Sequence, residues 1–195
     1  MNQVRGRVIL AITGASGAIL GIRTLELLRT AGKEIHLVIS ESARQTITVE
    51  TNRSVAEVEA LADACYEPQR IGERIASGSF VTEGMLVVPC SIKTLSGIAN
   101  SYASNLIIRA ADVCLKEGRK VILAVRETPL HAGHLRLMEQ AAQAGAIIFP
   151  PVPSFYSKRQ TLDEMVTDLA GRMLLRMGID NDVYSPWAGD NLPKA

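Results

Sequence analysis

Residues 8–21 read VILAITGASGAILG, and this stretch decides the fold. Its first five residues form an apolar run rich in β-branched side chains, which is typical of a strand covered on both faces. Gly14 and Gly17 then allow the backbone a tight turn, and the apolar periodicity of residues 19–30 predicts a helix directly after it. The stretch therefore predicts a strand, a glycine turn and a helix start, which is the building unit of α/β proteins.

The turn between this strand and this helix is a candidate binding site. A helix N-terminus offers free N–H groups and the positive end of the helix dipole, and glycines let the backbone approach a ligand closely. We therefore expect an anion here, typically the phosphate of a nucleotide or a flavin. Ser16 is the one reactive side chain of the turn, and it is either the cap of the helix or a hydrogen-bond partner of the bound group.

The same alternation of strand and helix continues along the chain. Further strands are predicted over residues 35–39, 85–88, 121–125 and 146–149, and further helices over 41–49, 55–64, 105–116, 131–144 and 161–177. Five strands alternating with helices predict an α/β fold: a doubly wound (Rossmann- or flavodoxin-like) parallel sheet in one three-layer α/β/α domain spanning residues 1–195. The polar clusters follow the strands directly, so a ligand is expected at the carboxyl edge of the sheet.

Composition excludes several classes of protein. The 195 residues carry a net charge of +1, so no global field favours nucleic acid or an anionic membrane as partner. The three cysteines are widely spaced, which indicates neither a disulfide framework nor a zinc ribbon. Because no apolar signal region or membrane-length apolar run is present, we expect a cytoplasmic protein.

The TGxxG sequence at residues 13–17 also resembles the opening of a dinucleotide-binding dehydrogenase motif. Leu20 stands where the third glycine of that motif would fall. Ser40 ends the second predicted strand, where a dehydrogenase needs an acidic residue for the ribose. Both departures argue against a dehydrogenase.

Other side chains admit alternative chemistry. Cys90 is a possible nucleophile, although a buried structural cysteine is the commoner case. His131 and His134 lie three residues apart on one predicted helix face and are either metal ligands or, more commonly, capping and solvent-facing residues. Around Cys90, the backbone N–H groups and hydroxyls of residues 89–94, with the cation of Lys93, suit a phosphate or the edge of a flavin ring.

Arg109, Asp112 and Lys116 share one predicted helix face. They form either a solvated ion-pair stripe or a pair of cations that Asp112 holds facing a small phosphate. Further donors to such a phosphate are expected from Arg126, Tyr156 and Arg172. Glu127 follows Arg126 at a strand end, where a proton acceptor could be tuned by its neighbouring cation.

Taken in order, these segments resemble the flavin prenyltransferase family. The resemblance covers roughly residues 8–187 and rests on residues 14–18 (GASGA), 89–97 (PCSIKTLSG), 109–113 (RAADV), 115–117 (LKE), 126–130 (RETPL), 150–153 (PPVP) and 155–156 (FY). It implies a flavin-binding fold and a metal-independent reaction in which dimethylallyl monophosphate alkylates reduced FMN at N5 and then C6. The product, prenylated FMN, would serve a partner UbiD-type decarboxylase in ubiquinone biosynthesis or aromatic-acid decarboxylation.

The resemblance also implies roles for individual residues. Positions matching FMN contacts are Gly14, Ala15, Ser16, Ser40, Ser91, Ile92, Lys93, Thr94 and Arg126. Positions matching the prenyl phosphate site are Arg109, Lys116, Tyr156 and Arg172, with Trp187 as an aromatic beside the prenyl group. Catalytic positions are Ser16, Glu50, Lys116 and Glu127, and no metal site is implied. Leu20 departs from the family, in which many members carry Tyr.

The family further implies a large homo-oligomer, commonly a dodecamer, with sites shared at subunit interfaces and the tail from about residue 179 packing there. Two related alternatives stay open from the sequence. One is a flavin-dependent cysteine decarboxylase of similar fold, and the other is a non-catalytic flavin-binding subunit of a decarboxylase.

Overall fold

A computed structural model describes residues 5–184, 186–187 and 189. Its strands are β1 (Arg7–Ile12), β2 (Glu34–Ile39), β3 (Ala64–Tyr66), β4 (Gly84–Cys90), β5 (Lys120–Val125) and β6 (Ile147–Ile148). Its helices are α1 (Ala18–Thr30), α2 (Glu41–Glu50), α3 (Val55–Glu59), α4 (Ile92–Ala99), α5 (Leu106–Lys116), α6 (Ala132–Gln143) and α7 (Leu162–Met177).

The strands form one parallel sheet in the order β3-β2-β1-β4-β5-β6. The chain runs outward from β1 to β3 and then returns to the other side of β1 as β4, so the strand order reverses between β1 and β4. This confirms the doubly wound fold. Ligands in such sheets bind at the carboxyl ends of the strands beside this reversal.

Two elements differ from the sequence prediction. The sheet has six strands rather than five, because the helix predicted over residues 55–64 ends at Glu59 and is followed by the three-residue strand β3. The segment predicted as a polar loop at 89–94 contains the start of helix α4. Strand β3 and helix α4 are short, so neither displays enough periods of its apolar pattern to be recognised.

The two faces of the sheet bury separate cores. Leu10, Leu37 and Leu86 face α1 and α7, whereas Ile9, Val38 and Met85 face the side covered by α4 and α5. Alternate side chains of each strand therefore enter opposite layers, which makes the three-layer α/β/α architecture.

The chain after α7 folds back onto that helix. Asn181 donates its side-chain amide to the carbonyl oxygen of Gly171 at 2.9 Å and accepts the backbone N–H of Tyr184 at 3.3 Å. The tail therefore packs on its own chain as far as residue 184. Residues 185, 188 and 190–195 lie outside the described residues, and tail packing at subunit interfaces stays a prediction. Within the part of the chain that the structure describes, no helix is long and apolar enough to cross a membrane.

Candidate active site

The turn after β1 is tied to the start of α4 by the buried side chain of Thr13. Its hydroxyl donates to the carbonyl oxygen of Pro89 at 2.7 Å and accepts the backbone N–H of Ser91 at 2.8 Å. Sequence reasoning assigned no role to Thr13, because its partners lie more than seventy residues away. This bridge joins the carboxyl ends of β1 and β4 at the point where the strand order reverses.

Both glycines of the turn are required by its geometry. A Cβ at Gly14 would lie 2.2 Å from the Cβ of Ser42, so α2 leaves no room for a side chain there. Gly17 has φ +103°, a left-handed conformation that other residues adopt only with strain. The turn therefore keeps its path only with glycine at these two positions.

The N-terminus of α1 is capped by a carboxylate from α2. Glu50 Oε2 accepts the backbone N–H groups of Gly17 at 2.8 Å and Ala18 at 3.0 Å. The alternative that Ser16 caps the helix is wrong, since Gly17 occupies the N-cap position; the Ser16 hydroxyl lies close enough to Glu50 to help lower the pKa of that carboxyl group. The anion at this helix terminus is thus a side chain of the protein itself.

The environment of Glu50 keeps its carboxyl group ionised. Partial desolvation alone would raise its pKa, but hydrogen bonds from Gly17, Ala18 and Ser16, together with the charge of Arg126, hold the pKa below its ordinary value of 4.5. Glu50 is therefore a carboxylate at neutral pH, able to accept a proton or hydrogen bonds but not to donate.

A polar cavity of about 220 Å³ opens on one side of the turn. It brings together five of the residues predicted to bind FMN: Gly14, Ser40, Ser91, Lys93 and Thr94. Pro68 and Gln69 also line it, and sequence reasoning missed both because they lie in a connecting segment. Asn105, the N-cap residue of α5, lines it as well, and the sequence analysis assigned it no role. The cavity therefore assembles hydroxyls and the cation of Lys93 from separate segments, with the acidic residue Glu41 also in its lining.

Three helices, α2, α4 and α5, begin at this cavity, and two of them are capped by serines that line it. Ser40 caps α2 by accepting the Ala43 N–H at 3.2 Å, and Ser91 caps α4 by accepting the Thr94 N–H at 3.3 Å. Helix N-termini carry partial positive charge and attract anions. The polar cavity is consequently suited to the phosphate of a nucleotide or flavin. Ile92 begins α4 beside it and is half-buried against the core, and the buried Ala15 lies in the turn.

A second, apolar cavity of about 490 Å³ opens on the other side of the turn. Ser16, Gly17 and Glu50 form its polar end. The rest of its wall is apolar and consists of Ile19, Leu20, Pro151, Pro153, Leu162, Met165, Val166 and Leu169. Leu20, the departure from the family pattern, therefore adds apolar surface to this wall. The cavity suits a small hydrocarbon group held near a carboxylate.

The side chains of Cys90 and the two histidines have structural roles. Burial raises the pKa of the Cys90 thiol to about 12, so a thiolate nucleophile is not available at neutral pH. His131 is the N-cap residue of α6, where its Nδ1 accepts the Gly133 N–H at 3.0 Å, and its ring stacks on His134. The capping interpretation of His131 is thus confirmed. Among the described residues, no cluster of three or more metal-ligating side chains occurs.

Arg126 and Glu127 follow β5 at the same edge of the sheet. The backbone N–H of Arg126 donates to the carbonyl oxygen of Cys90 at 3.1 Å, which places this pair beside the start of α4. The Glu127 carboxylate is exposed and accepts the Thr128 N–H at 3.0 Å. Arg126 thus lies near both the start of α4 and the carboxylate of Glu50.

The cations of α5 do not meet at the cavities. Arg109 forms the expected ion pair with Asp112 at 2.8 Å, but Lys116 pairs with Glu117 instead. Helix α5 begins beside the polar cavity and runs toward the amino ends of the strands, so its eleven residues carry Lys116 about 15 Å away. Lys116 is therefore remote from both cavities of its own chain.

The remaining predicted residues meet near the C-terminal end. The hydroxyls of Tyr156 and Tyr184 lie 2.9 Å apart and share a hydrogen bond, and the Trp187 ring packs edge-on against Tyr156 with centroids 5.4 Å apart. The hydrogen bond shared with Tyr156, together with partial burial, raises the pKa of Tyr184, and the charge of Arg172 opposes this change. The Arg172 guanidinium itself lies 5.8 Å from the centre of the Phe149 ring. Tyr184 is thus a member of this cluster that sequence reasoning missed.

A doubly wound sheet with a phosphate-suited cavity at its strand reversal defines a class of nucleotide- and flavin-binding proteins. Within that class, the family model described as Flavoprotein matches residues 1–166, so the chain is a flavoprotein. The chain is 53% identical to the flavin prenyltransferase UbiX of Escherichia coli K12 over 186 residues, covering 94% of this chain and 98% of that protein. It is 49% identical to the flavin prenyltransferase UbiX of Thauera aromatica, covering 94% and 95%. The chain belongs to the flavin prenyltransferase family.

Solved structures agree with this membership. The crystal structure of AnUbiX in complex with FMN and dimethylallyl pyrophosphate superposes with a TM-score of 0.93 at 45% identity, covering 95% of this chain and 98% of that one. A dodecameric FMN-dependent UbiX-like decarboxylase from Escherichia coli O157:H7 gives 0.91 at 44% identity, covering 94% and 100%. The peptidyl-cysteine decarboxylase EpiD, at 18% identity and 0.58, shares the fold alone. This membership agrees with the departures at Leu20 and Ser40 that argue against a dehydrogenase.

Proposed function

We propose that the protein transfers the dimethylallyl group of dimethylallyl monophosphate to reduced FMN and so makes prenylated FMN. The observation that carries this proposal is the pair of cavities on the two sides of the glycine turn, one polar and one apolar, in a chain of this family. Two reactants of opposite character, a phosphorylated flavin and a hydrocarbon unit, fit two such spaces.

The donor set of the polar cavity fits FMN. Hydroxyls of Ser40, Ser91 and Thr94 and the cation of Lys93 are the donors that a phosphate ester and a ribityl chain require. Gly14 and Ala15 would lie against the flavin with their backbone, and Arg126 would add a cation at the carboxyl edge. Reduced FMN would supply two ring positions: N5 bonds to the allylic carbon as phosphate leaves, and C6 then adds to the carbon–carbon double bond of the attached unit, which takes up a proton while C6 loses one.

The carboxylate at the polar end of the apolar cavity can stabilise positive charge on the prenyl group. When the allylic carbon–oxygen bond breaks, positive charge grows on the five-carbon unit, and a fixed carboxylate nearby stabilises it. Glu50 is such a carboxylate, and its bonds to Gly17 and Ala18 hold it in place. The hydroxyl of Ser16 is placed to pass a proton, and Glu127 is our proposed acceptor of the proton lost from C6. Trp187 offers a π-face to the cation.

The phosphate leaving group requires cations and hydrogen-bond donors. We propose Arg109, Lys116 and Arg172 as the cations and the hydroxyl of Tyr156 as a further donor. Lys116 lies at the far end of α5 from the cavities of its own chain, so it would reach a phosphate held by a neighbouring copy. This supports a homo-oligomer with shared sites, and the dodecamer formed by the similar Escherichia coli protein gives its expected size. We further infer a cytoplasmic location and a UbiD-type decarboxylase as the user of the product.

The experiment that tests this function mixes the purified protein with FMN, a reductant and dimethylallyl monophosphate without oxygen. Mass spectrometry of the released flavin is expected to show FMN enlarged by one five-carbon unit. Isopentenyl monophosphate is the matched control, because it does not ionise to an allyl cation, and it is expected to give no adduct. Bound FMN that stays unmodified with the dimethylallyl substrate would contradict the proposal.

A further inference from the structure

A buried histidine lies outside the two cavities and is part of a hydrogen-bonded chain. His36, on β2, has its Nε2 3.0 Å from Glu34 Oε1 and its Nδ1 2.9 Å from the Tyr66 hydroxyl. The Tyr66 oxygen also accepts the Nε hydrogen of Arg74 at 2.7 Å. Glu34 accepts the Nε hydrogen of Arg7 at 3.1 Å. These five side chains connect β1, β2, β3 and the segment after β3.

The hydrogens of this chain have one consistent arrangement while His36 is neutral. A carboxylate only accepts, and a guanidinium only donates. Nε2 of His36 therefore carries the ring hydrogen and donates to Glu34, and Nδ1 accepts the O–H of Tyr66. Protonation adds a hydrogen to Nδ1, so Tyr66 must accept from His36 and Arg74 together, and its own O–H loses its acceptor.

Tyr66 anchors a segment that forms part of the polar cavity. It is the last residue of the short edge strand β3, and Pro68 and Gln69 follow it into the cavity wall. The Pro68 carbonyl accepts the N–H of Leu106 at 2.7 Å, at the start of α5. The position of this wall therefore depends on Tyr66 at one side and on α5 at the other.

The groups that surround His36 come from every adjoining element. They are Glu34 on β2, Arg7 on β1, Tyr66 on β3, Asp63 just before β3, and Arg74 and Phe80 on the segment between β3 and β4. The Phe80 ring packs edge-on against His36 at 4.9 Å between centroids, and both arginines lie over that ring. The His36 ring is thus covered on one side by the apolar Phe80 ring, and it lies near two arginines and two carboxylates.

These surroundings favour neutral His36. Burial lowers the pKa of His36 below its ordinary value of 6.5, Glu34 opposes this change, and the charges of Arg74 and Arg7 add to it. Because the pKa is lower in the folded protein, the stabilisation by neutral His36 is complete above pH 6.5 and is lost progressively as the pH falls below that value.

We propose that His36 is a positioning residue for the flavin: in its neutral form it holds Tyr66 and thereby the wall formed by Pro68 and Gln69, and its protonation releases this wall and weakens FMN binding. The inference rests on the proposed function, since it takes FMN as the occupant of the polar cavity.

The test measures the dissociation constant of FMN for the full-length protein by quenching of flavin fluorescence, in steps from about pH 7.5 down to about pH 4.5, so that the titration of His36 is followed wherever below 6.5 it falls. The decisive variant is His36→Gln, whose neutral amide accepts from Tyr66 and donates to Glu34 throughout this range. Wild type is expected to lose about five-fold more affinity than His36→Gln on acidification, the factor that one ordinary hydrogen bond is worth. Protonation of the FMN phosphate affects both proteins equally and cancels.

A second variant, Tyr66→Phe, removes the hydroxyl that connects His36 to the cavity wall, and leaves His36 itself able to take up a proton. Tyr66→Phe is expected to bind FMN about five-fold more weakly than wild type at about pH 7.5 and to respond to acid as His36→Gln does. Tyr102→Phe, at an exposed tyrosine, is the control and is expected to behave as wild type.

Three outcomes overturn the inference. Equal acid responses of wild type and His36→Gln would do so, as would unchanged FMN affinity in Tyr66→Phe. If wild type bound no FMN at about pH 7.5, the proposed function itself would fail and this inference with it.

Discussion

The carboxylate of Glu50, at the end of α2, accepts the backbone N–H of Gly17, at the start of α1, over 2.8 Å. This contact closes the helix terminus that follows the glycine turn. It also occupies two N–H groups of this terminus with a side chain of the protein, and we therefore propose that the phosphate of FMN binds instead at the helix N-termini that meet at the polar cavity.

The substitution Glu50→Gln removes the negative charge of this side chain and keeps its size and shape. We predict that Glu50→Gln slows formation of the flavin adduct by at least about ten-fold, because the growing allyl cation loses its fixed carboxylate. FMN affinity should stay within about two-fold of wild type, since Glu50 does not line the polar cavity. Single-turnover mass spectrometry and FMN titration measure the two effects. Glu139→Gln on α6 is the matched control, and a normal rate in Glu50→Gln would refute the assigned role.

The same contact predicts a response of stability to acid. The pKa of Glu50 is lowered in the folded protein, so its contribution to the free energy of unfolding is present above about pH 4.5 and is lost as the pH falls through the folded pKa. At about pH 6, we expect the free energy of unfolding of wild type to exceed that of Glu50→Gln by about 0.5 kcal/mol. The difference is small because the carboxylate is exposed to solvent. This difference should shrink steadily as the pH falls below about 4.5. Urea unfolding of both proteins checks it, and a difference that grows with acid would contradict it.

Gly14 offers a steric test of the turn. Its Cβ would lie 2.2 Å from the Cβ of Ser42, so we predict that Gly14→Ala lowers the free energy of unfolding by about 1–3 kcal/mol and weakens FMN binding. The double variant Gly14→Ala/Ser42→Gly should recover part of both losses. Gly72→Ala, where a Cβ would meet nothing within 4 Å, is the control. Denaturant unfolding and FMN titration measure the effects, and full tolerance of Gly14→Ala would show that the turn is less constrained.

Lys116 tests whether sites are shared between copies. We predict that Lys116→Ala binds FMN normally and forms adduct slowly, since Lys116 is remote from its own polar cavity and its proposed partner is the prenyl phosphate held by a neighbouring copy. Refolding Lys116→Ala together with Glu50→Gln should restore part of the rate, because some mixed sites then contain both wild-type groups. Each variant refolded alone is the control. If verified mixed oligomers showed no recovery of the rate, the proposal that Lys116 of one copy acts in the site of another would be contradicted.

The sequence predicted those features that depend on local pattern. The strand, turn and helix of residues 8–30 and the meeting of Gly14, Ser40 and Ser91 at one cavity follow from apolar periodicity and from the carboxyl-edge rule for parallel sheets. The bond from Gly17 to Glu50 spans 33 residues and depends on how α2 packs, which no local pattern encodes. Gln69 was missed for the same reason, because its position is fixed by contacts of β3 and α5.

Phosphate release and adduct formation can be measured together in enzyme freed of divalent ions with EDTA. We propose that arginine, lysine and tyrosine side chains, without a metal ion, carry the departing phosphate. We therefore expect one inorganic phosphate for each prenylated flavin at an undiminished rate, with no gain from added Mg²⁺. Adduct formation that ceases with EDTA and returns with Mg²⁺ would contradict this proposal.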